Sequence, residues 1–271
     1  MPRLAVLGHP VAHSRSPAMH NAALAALGLA GEWSYEALDV EPERFEGVVR
    51  ALPEQGFAGV NVTVPHKVAA LRLADQPTAA ARAIGAANTL VFRPGGIEAE
   101  NTDAAGLLAA LPLDPRGARA LVLGAGGSAR AAVWALATHG AAVTVWNRTP
   151  ERARALAAEL GASAAGPGSG PLGGGFDLIV NCTTVGMGEG GPAIEALPLD
   201  LGQLGPRHAV VDLAYGSEET ELVHAARDAG AAVVDGLEVL VRQGAASLRI
   251  WTGLEPPLEV MRAAARAAPA G

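Results

Sequence analysis

Ala120-Leu121-Val122-Leu123-Gly124-Ala125-Gly126-Gly127-Ser128-Ala129-Arg130-Ala131 is the stretch whose reading decides the fold of this 271-residue chain. An apolar run of strand character enters a glycine-rich turn, and an apolar helical pattern leaves it and continues to Thr138. Glycines there let the backbone turn tightly and come close to a pyrophosphate, which the helix N-terminus faces with free N–H groups and the positive end of its dipole. Ala129, the third small residue, permits close packing of helix on sheet. Alone, such a pattern is weak evidence. Here it follows a strand, opens a helix and is succeeded by a second strand at 142–146, the context a dinucleotide-binding α/β domain requires.

Downstream, the end of that second strand separates the two nicotinamide cofactors. An NAD site places a carboxylate there for the ribose 2′-hydroxyl, whereas this chain has Asn147-Arg148-Thr149 with Arg152 one turn on. Two guanidinium groups suit a 2′-phosphate. The competing reading is a solvated helix start, but cations in a first turn oppose the helix dipole unless an anion is near. A strand at 177–180 ends in Asn181-Cys182-Thr183-Thr184 and a loop with Gly186-Met187-Gly188. Further strands at 209–213 and 232–235, separated by a helix at 219–229, leave Leu213, Tyr215 and Gly236 at or beyond their ends, the nicotinamide side of such a domain.

Upstream, a strand at 4–8, a polar loop at 9–16, a helix at 17–27, a strand at 33–40, a helix at 42–52 and a strand at 57–63 follow one another. That alternation predicts a mostly parallel sheet whose ligands gather beyond the carboxyl ends of its strands. Ser14 and Ser16 stand at one such end, though Ser16-Pro17 equally suits a helix N-cap followed by proline. Asn61, Thr63 and Lys67 stand at another, in Asn61-Val62-Thr63-Val64-Pro65-His66-Lys67. Lys67 is the only lysine beside 19 arginines. Arginine keeps its proton at any useful pH, whereas lysine can pass one on. Pro65 ends strand pairing and starts a helix with Lys67 in its first turn, where the dipole disfavours a cation. After a helix at 78–86 come a hairpin, 88–92 and 97–101 around Gly95-Gly96, and a helix opened by Asn101-Thr102-Asp103, in which Asp103 is either a cap or a site carboxylate. Two closing helices, 237–251 and 258–267, include Gln243, aimed at a site or at the margin of an apolar face.

Composition bounds the rest. Half the residues are apolar, enough for a substantial core, and a net charge of −7 removes the electrostatic footprint of nucleic-acid binding. A single cysteine, Cys182, cannot form an internal disulfide, no uncharged apolar run is long enough for a membrane span, and the first residues lack the pattern of a secretion signal. A cytoplasmic enzyme of a small-molecule substrate is expected, with no nucleic-acid or membrane partner, as monomer or homodimer.

With these pieces in place, the chain resembles the shikimate dehydrogenase family over nearly its whole length. The likeness rests on Ser14-Arg15-Ser16-Pro17, the stretch from Asn61 to Lys67, Gly85-Ala86-Ala87-Asn88-Thr89, Asn101-Thr102-Asp103, the glycine-rich turn, Asn147-Arg148-Thr149, Asp212-Leu213-Ala214-Tyr215 and Gln243 ahead of Trp251-Thr252-Gly253. The resemblance implies an α/β fold with a substrate domain at 1–103 plus 238–271, a Rossmann-type NADP domain at 104–237 and a cleft between them. It implies NADPH-dependent, reversible reduction of 3-dehydroshikimate to shikimate, without metal. Lys67 and Asp103 would be the catalytic pair. Ser14, Ser16, Asn61, Thr63, Asn88, Gln243 and Tyr215 would join them around substrate, and Gly124, Ala125, Gly126, Gly127, Ser128, Ala129, Asn147, Arg148, Thr149, Arg152, Thr183, Leu213 and Gly236 would hold NADP. Glu238-Val239, where the family commonly has glycine and methionine, and Gly216-Ser217, which lacks its frequent proline, depart from the pattern. Competing readings are an NAD-preferring quinate/shikimate dehydrogenase, a non-enzymatic NADP sensor and a methylenetetrahydrofolate dehydrogenase. Arg148 and Arg152 speak against the first, the retention of both Lys67 and Asp103 against the second, and the few aromatic residues against the third.

Overall fold

A computed structural model describes residues 1–166, 169, 172–187, 193–216 and 218–268, and divides the chain into two compact units, 1–106 with 240–271 and 107–239. In the first unit the strands are β1 (Arg3–Gly8), β2 (Ser34–Asp39), β3 (Phe57–Val62), β4 (Gln76–Pro77), β5 (Thr89–Arg93) and β6 (Gly96–Glu100). The helices are α1 (Ser16–Ala26), α2 (Phe45–Ala51), α3 (Lys67–Leu73), α4 (Ala79–Ile84) and α5 (Thr102–Ala110), the last running on into the second unit. The second unit holds β7 (Arg119–Leu123), α6 (Gly127–Thr138), β8 (Ala142–Trp146), α7 (Pro150–Leu160), β9 (Ser163–Ala164), β10 (Leu178–Asn181), β11 (Ala209–Asp212), α8 (Glu221–Asp228) and β12 (Ala232–Val234). The chain returns to the first unit along α9 (Gly236–Thr252) and ends in α10 (Leu258–Ala267).

The first sheet has the order β2-β1-β3-β5-β6-β4, with β1 parallel to β2 and β3, and β3, β5 and β6 antiparallel in turn. Strand alternation builds its two cores: Ala5 and Leu7 pack with Phe45, Val49, Ala70 and Leu73 on one face, Leu4 and Val6 with Met19, Leu24, Leu248 and Met261 on the other. Helices therefore cover both faces. The second sheet, β12-β11-β10-β7-β8-β9, is parallel throughout. Read from β9, and counted along the chain within the unit, that order is 3-2-1-4-5-6, the doubly wound dinucleotide-binding topology with its reversal between β7 and β10. Ala120 and Val122 face the core under α6 and α7, and Leu121 and Leu123 the core under α8.

Boundaries differ from expectation where backbone chemistry overrides apolar pattern. The helix expected at 42–52 is a 3₁₀ turn, Pro42–Arg44, followed by α2, which stops at Ala51 ahead of Pro53. The helix expected from Pro65 begins at Lys67, with His66 at its N-cap. Strands β4 and β9 have two residues each, too short to show a period. Gly188 and Ser217 lie outside the described residues.

Candidate active site

Lys67 is the first residue of α3 and Asp103 the second of α5, and Lys67 Nζ donates to Asp103 Oδ2 at 2.6 Å. The two side chains are only 10% and 16% exposed, so the pair is largely withdrawn from water yet reachable. Asp103 does not cap its helix. Asn101 Oδ1 accepts the Ala104 N–H instead, at 3.2 Å, which leaves the carboxylate for Lys67.

Asn88, just before β5, joins the pair from the other side. Its Nδ2 lies 3.0 Å from Asp103 Oδ1, 2.9 Å from Thr102 Oγ1 and 2.9 Å from Gln243 Oε1, three acceptors for two hydrogens. The Thr102 N–H donates to Asn88 Oδ1 at 2.7 Å and so fixes which end of the amide faces the carboxylate. Gln243 is buried rather than at the margin of an apolar face, and its Nε2 donates to Leu240 O at 2.9 Å. Its approach depends on Gly106 of α5. A Cβ there would stand 2.7 Å from Gln243 Cβ and 2.8 Å from its backbone nitrogen.

Below these groups lies a buried polar layer that the sequence pattern does not announce. Asn61 Nδ2 is within reach of Ser247 Oγ at 2.9 Å, Asn88 O at 3.1 Å and Thr89 Oγ1 at 3.2 Å, while its Oδ1 accepts from Tyr35 OH at 2.8 Å. The Asn61 amide is thus engaged within the fold. Ser247 also meets Thr89 Oγ1 at 2.8 Å and Thr102 Oγ1 at 3.1 Å. One signal for Ser247 is present in the chain: it stands four residues after Gln243, on the same face of an otherwise apolar helix stretch.

The loop from Val11 to Ser16 supplies two hydroxyls of different setting. Ser14 is half-buried, and its Oγ accepts the Ser16 N–H at 3.3 Å; Ser16 is buried as the first residue of α1. Ser16 is therefore not the N-cap. Arg15 holds that position, and its guanidinium donates to Ala265 O at 3.0 Å. Thr63, half-buried past the end of β3, is tied through its N–H to Leu7 O at 2.8 Å.

In the second unit, Gly124 adopts a φ of +112°, and its N–H donates to Trp146 O at 2.7 Å, which carries the pairing of β7 with β8 into the turn. Gly126 is the N-cap of α6, and the N–H groups of Gly127, Ser128 and Ala129 fall in its first turn, where no helical carbonyl can accept them. A Cβ on Gly126 would meet nothing within 4 Å, so the backbone there borders open space. Ala125, Gly127 and Ser128 are half-buried and Ala129 is buried against the sheet. Beyond β8, Asn147 Nδ2 donates to Thr149 O at 3.0 Å. Arg148 and Arg152 are exposed, with no carboxylate partner among the described residues. Thr183 is folded onto Asn181, its N–H and hydroxyl both donating to Oδ1, at 3.0 and 2.7 Å. Leu213 and Tyr215 are half-buried past β11, and Gly236 is buried as the first residue of α9, where a Cβ would come 2.8 Å from Leu213 O and Ala214 O. Among the departures, Glu238 donates its N–H to Asp235 Oδ1 at 2.9 Å and Val239 joins the core. No cluster of three His, Cys, Asp or Glu suited to a metal occurs among the described residues.

Comparison with known proteins assigns the arrangement to a family. The shikimate dehydrogenase (NADP+) of Methylobacterium radiotolerans is 48% identical over 274 residues, covering 94% of this chain and 93% of that protein. This chain belongs to the shikimate dehydrogenase family. The family's substrate binding domain model matches residues 6–90, the shikimate/quinate 5-dehydrogenase model 108–166, and the shikimate 5′-dehydrogenase C-terminal domain model 236–266. A crystal structure of shikimate 5-dehydrogenase from Thermus thermophilus, in complex with NADP(H) and shikimate, is 43% identical, with a TM-score of 0.85 over 98% of this chain and 99% of that one. The shikimate dehydrogenase of Aquifex aeolicus is 34% identical, with a TM-score of 0.89 over 98% of each chain. No helix among the described residues is long and apolar enough to cross a membrane.

Proposed function

We propose that the protein reduces 3-dehydroshikimate to shikimate with NADPH, reversibly, and that Lys67 and Asp103 manage the proton. The observation that carries the reading is the 2.6 Å Lys67–Asp103 pair, with the Asn88 amide joining Asp103 to Gln243, in a chain of this family. NADPH supplies the hydride. As a carbonyl is reduced, negative charge grows on its oxygen, and the Lys67 ammonium stabilises that charge and delivers a proton. Asp103 holds Lys67 in place and accepts a substrate hydroxyl. In oxidation, neutral Lys67 takes the proton of the alcohol. Gln243 has a second N–H beyond the one given to Leu240, Asp103 is an acceptor, Ser14, Ser16 and Thr63 offer hydroxyls, and Asn88 holds Asp103 and Gln243 together; this set suits a polyhydroxylated ring bearing a carboxylate. Asn61 supports this set through the buried layer.

The second unit fits NADP. The donors in the first turn of α6 suit the pyrophosphate, and Arg148 and Arg152, without a carboxylate partner among the described residues, suit a 2′-phosphate, which speaks against NAD as the preferred cofactor. Purified protein, given shikimate or quinate with NADP or NAD, tests the reading through the absorbance of reduced cofactor. Rapid reduction with shikimate and NADP is expected. Reduction that prefers quinate and NAD, or none in any combination, refutes it. Action within the cytoplasm accords with the acidic composition and single cysteine.

A further inference from the structure

The carboxylate of Asp212 plays no part in the proton chemistry, yet three loops hang from it. Asp212 ends β11 and is fully buried. Its Oδ1 accepts from Asn181 Nδ2 at 2.8 Å and from the Ala214 N–H at 3.0 Å, and its Oδ2 accepts from Thr220 Oγ1 at 2.6 Å. Each partner organises a different segment. Asn181, at the end of β10, folds Thr183 onto its own Oδ1, and Thr183 Oγ1 then accepts the Val185 N–H at 3.1 Å. Ala214 stands between Leu213 and Tyr215. Thr220 caps α8 by accepting the Val223 N–H at 3.2 Å.

The chemistry of these partners explains why an acid occupies the position. An amide, a peptide N–H and a hydroxyl all donate to one side chain, and an asparagine would turn an NH₂ toward one of them. Burial pushes the Asp212 carboxyl up to about 6, and no cation among the described residues contributes to holding its charge. Stability alone would not select a buried charge without a counter-ion.

We infer that Asp212 is a positioning residue for the cofactor half of the reaction, fixing Thr183 and segment 213–215 in the arrangement that receives NADP. The inference rests on the NADP reading of this unit. Asp212→Asn disturbs the junction of all three loops, and Asn181→Ala cuts only the branch to Thr183. Both are compared with wild type in NADP binding by calorimetry and in kcat and KM for each substrate. Each is expected to raise Kd and KM for NADP about tenfold and to leave KM for shikimate within about twofold. The double variant is expected to be little worse than the weaker single one, because both cut the same chain of bonds. A mere loss of folded protein lowers kcat and leaves both KM values alone. Wild-type NADP affinity in both variants, or such a fall in kcat alone, overturns the inference. Failure of the wild type itself to bind NADP overturns the cofactor reading on which it rests.

Discussion

Replacing Lys67 by alanine removes the ammonium that donates to Asp103 Oδ2 at 2.6 Å, and with it the only ε-amine in the chain. Two effects of different size follow. For folding, removal of one partner from a fully buried ion pair costs about 3–5 kcal/mol. Here the lower range for a hydrogen bond to a charged group, about 1.5–3 kcal/mol, applies, because Asp103 keeps Asn88 Nδ2 at 3.0 Å and its side chain is 16% exposed. For chemistry, loss of a positioned acid–base group costs about 100-fold or more, about 2.7 kcal/mol or more in barrier. Stopped-flow turnover with NADPH and 3-dehydroshikimate, beside NADPH titration and thermal melts, separates the two. Expected are a kcat at least about 100-fold lower, little change in NADPH affinity and a modestly lowered melting temperature. Turnover near the wild-type rate would refute a proton role for Lys67. A fall in kcat matched by the same fall in the fraction of protein that binds NADPH, with the affinity of that fraction unchanged, would show that the substitution acts through folding instead.

Three further outcomes are expected. Arg148→Ala removes an exposed cation beyond β8 and should raise KM for NADP about tenfold or more, leaving KM for NAD within about twofold in steady-state assays. Gly106→Ala drives a Cβ to 2.7 Å from Gln243 Cβ; a loss of about 1–3 kcal/mol in denaturant unfolding and a raised KM for shikimate are expected together. Asp212 holds its proton to a higher pH when folded, about 6, than its ordinary value of 3.8, so the folded chain binds more protons between these values and this group's contribution to stability falls as pH rises through them. The penalty is about 3 kcal/mol above that window, and the melting temperature of Asp212→Asn relative to wild type should rise as pH goes from about 4 to about 7.

How much of this was legible in the sequence depends on what kind of signal each feature leaves. The glycine-rich turn and the strands on either side of it write their geometry into composition, so the parallel sheet of the second unit could be expected. Lys67 could be singled out as the one lysine in a chain of arginines, whereas Asp103 stood equally as a helix cap until the family resemblance pointed to it, and the structure gives the capping bond to Asn101. The layer of Asn61, Thr89, Thr102 and Ser247 could not be read as a unit. Its members come from β3, β5, α5 and α9, far apart in the chain, and only packing joins them. Helix starts at Ser16 and Lys67 shifted by one or two residues because the N-cap positions fell to Arg15 and His66, whose side chains make no capping bond and leave no mark in the sequence.

The solitary lysine also has a use for the chemist. Acylating and reductive-alkylating reagents have a single ε-amine to find in this protein, and it is held beside Asp103 with only 10% of its side chain exposed. Peptide mapping of one modified residue then becomes a clock for access to the site. Its rate, compared with and without shikimate, reports occupancy directly, with no engineered label and no background from other side-chain amines.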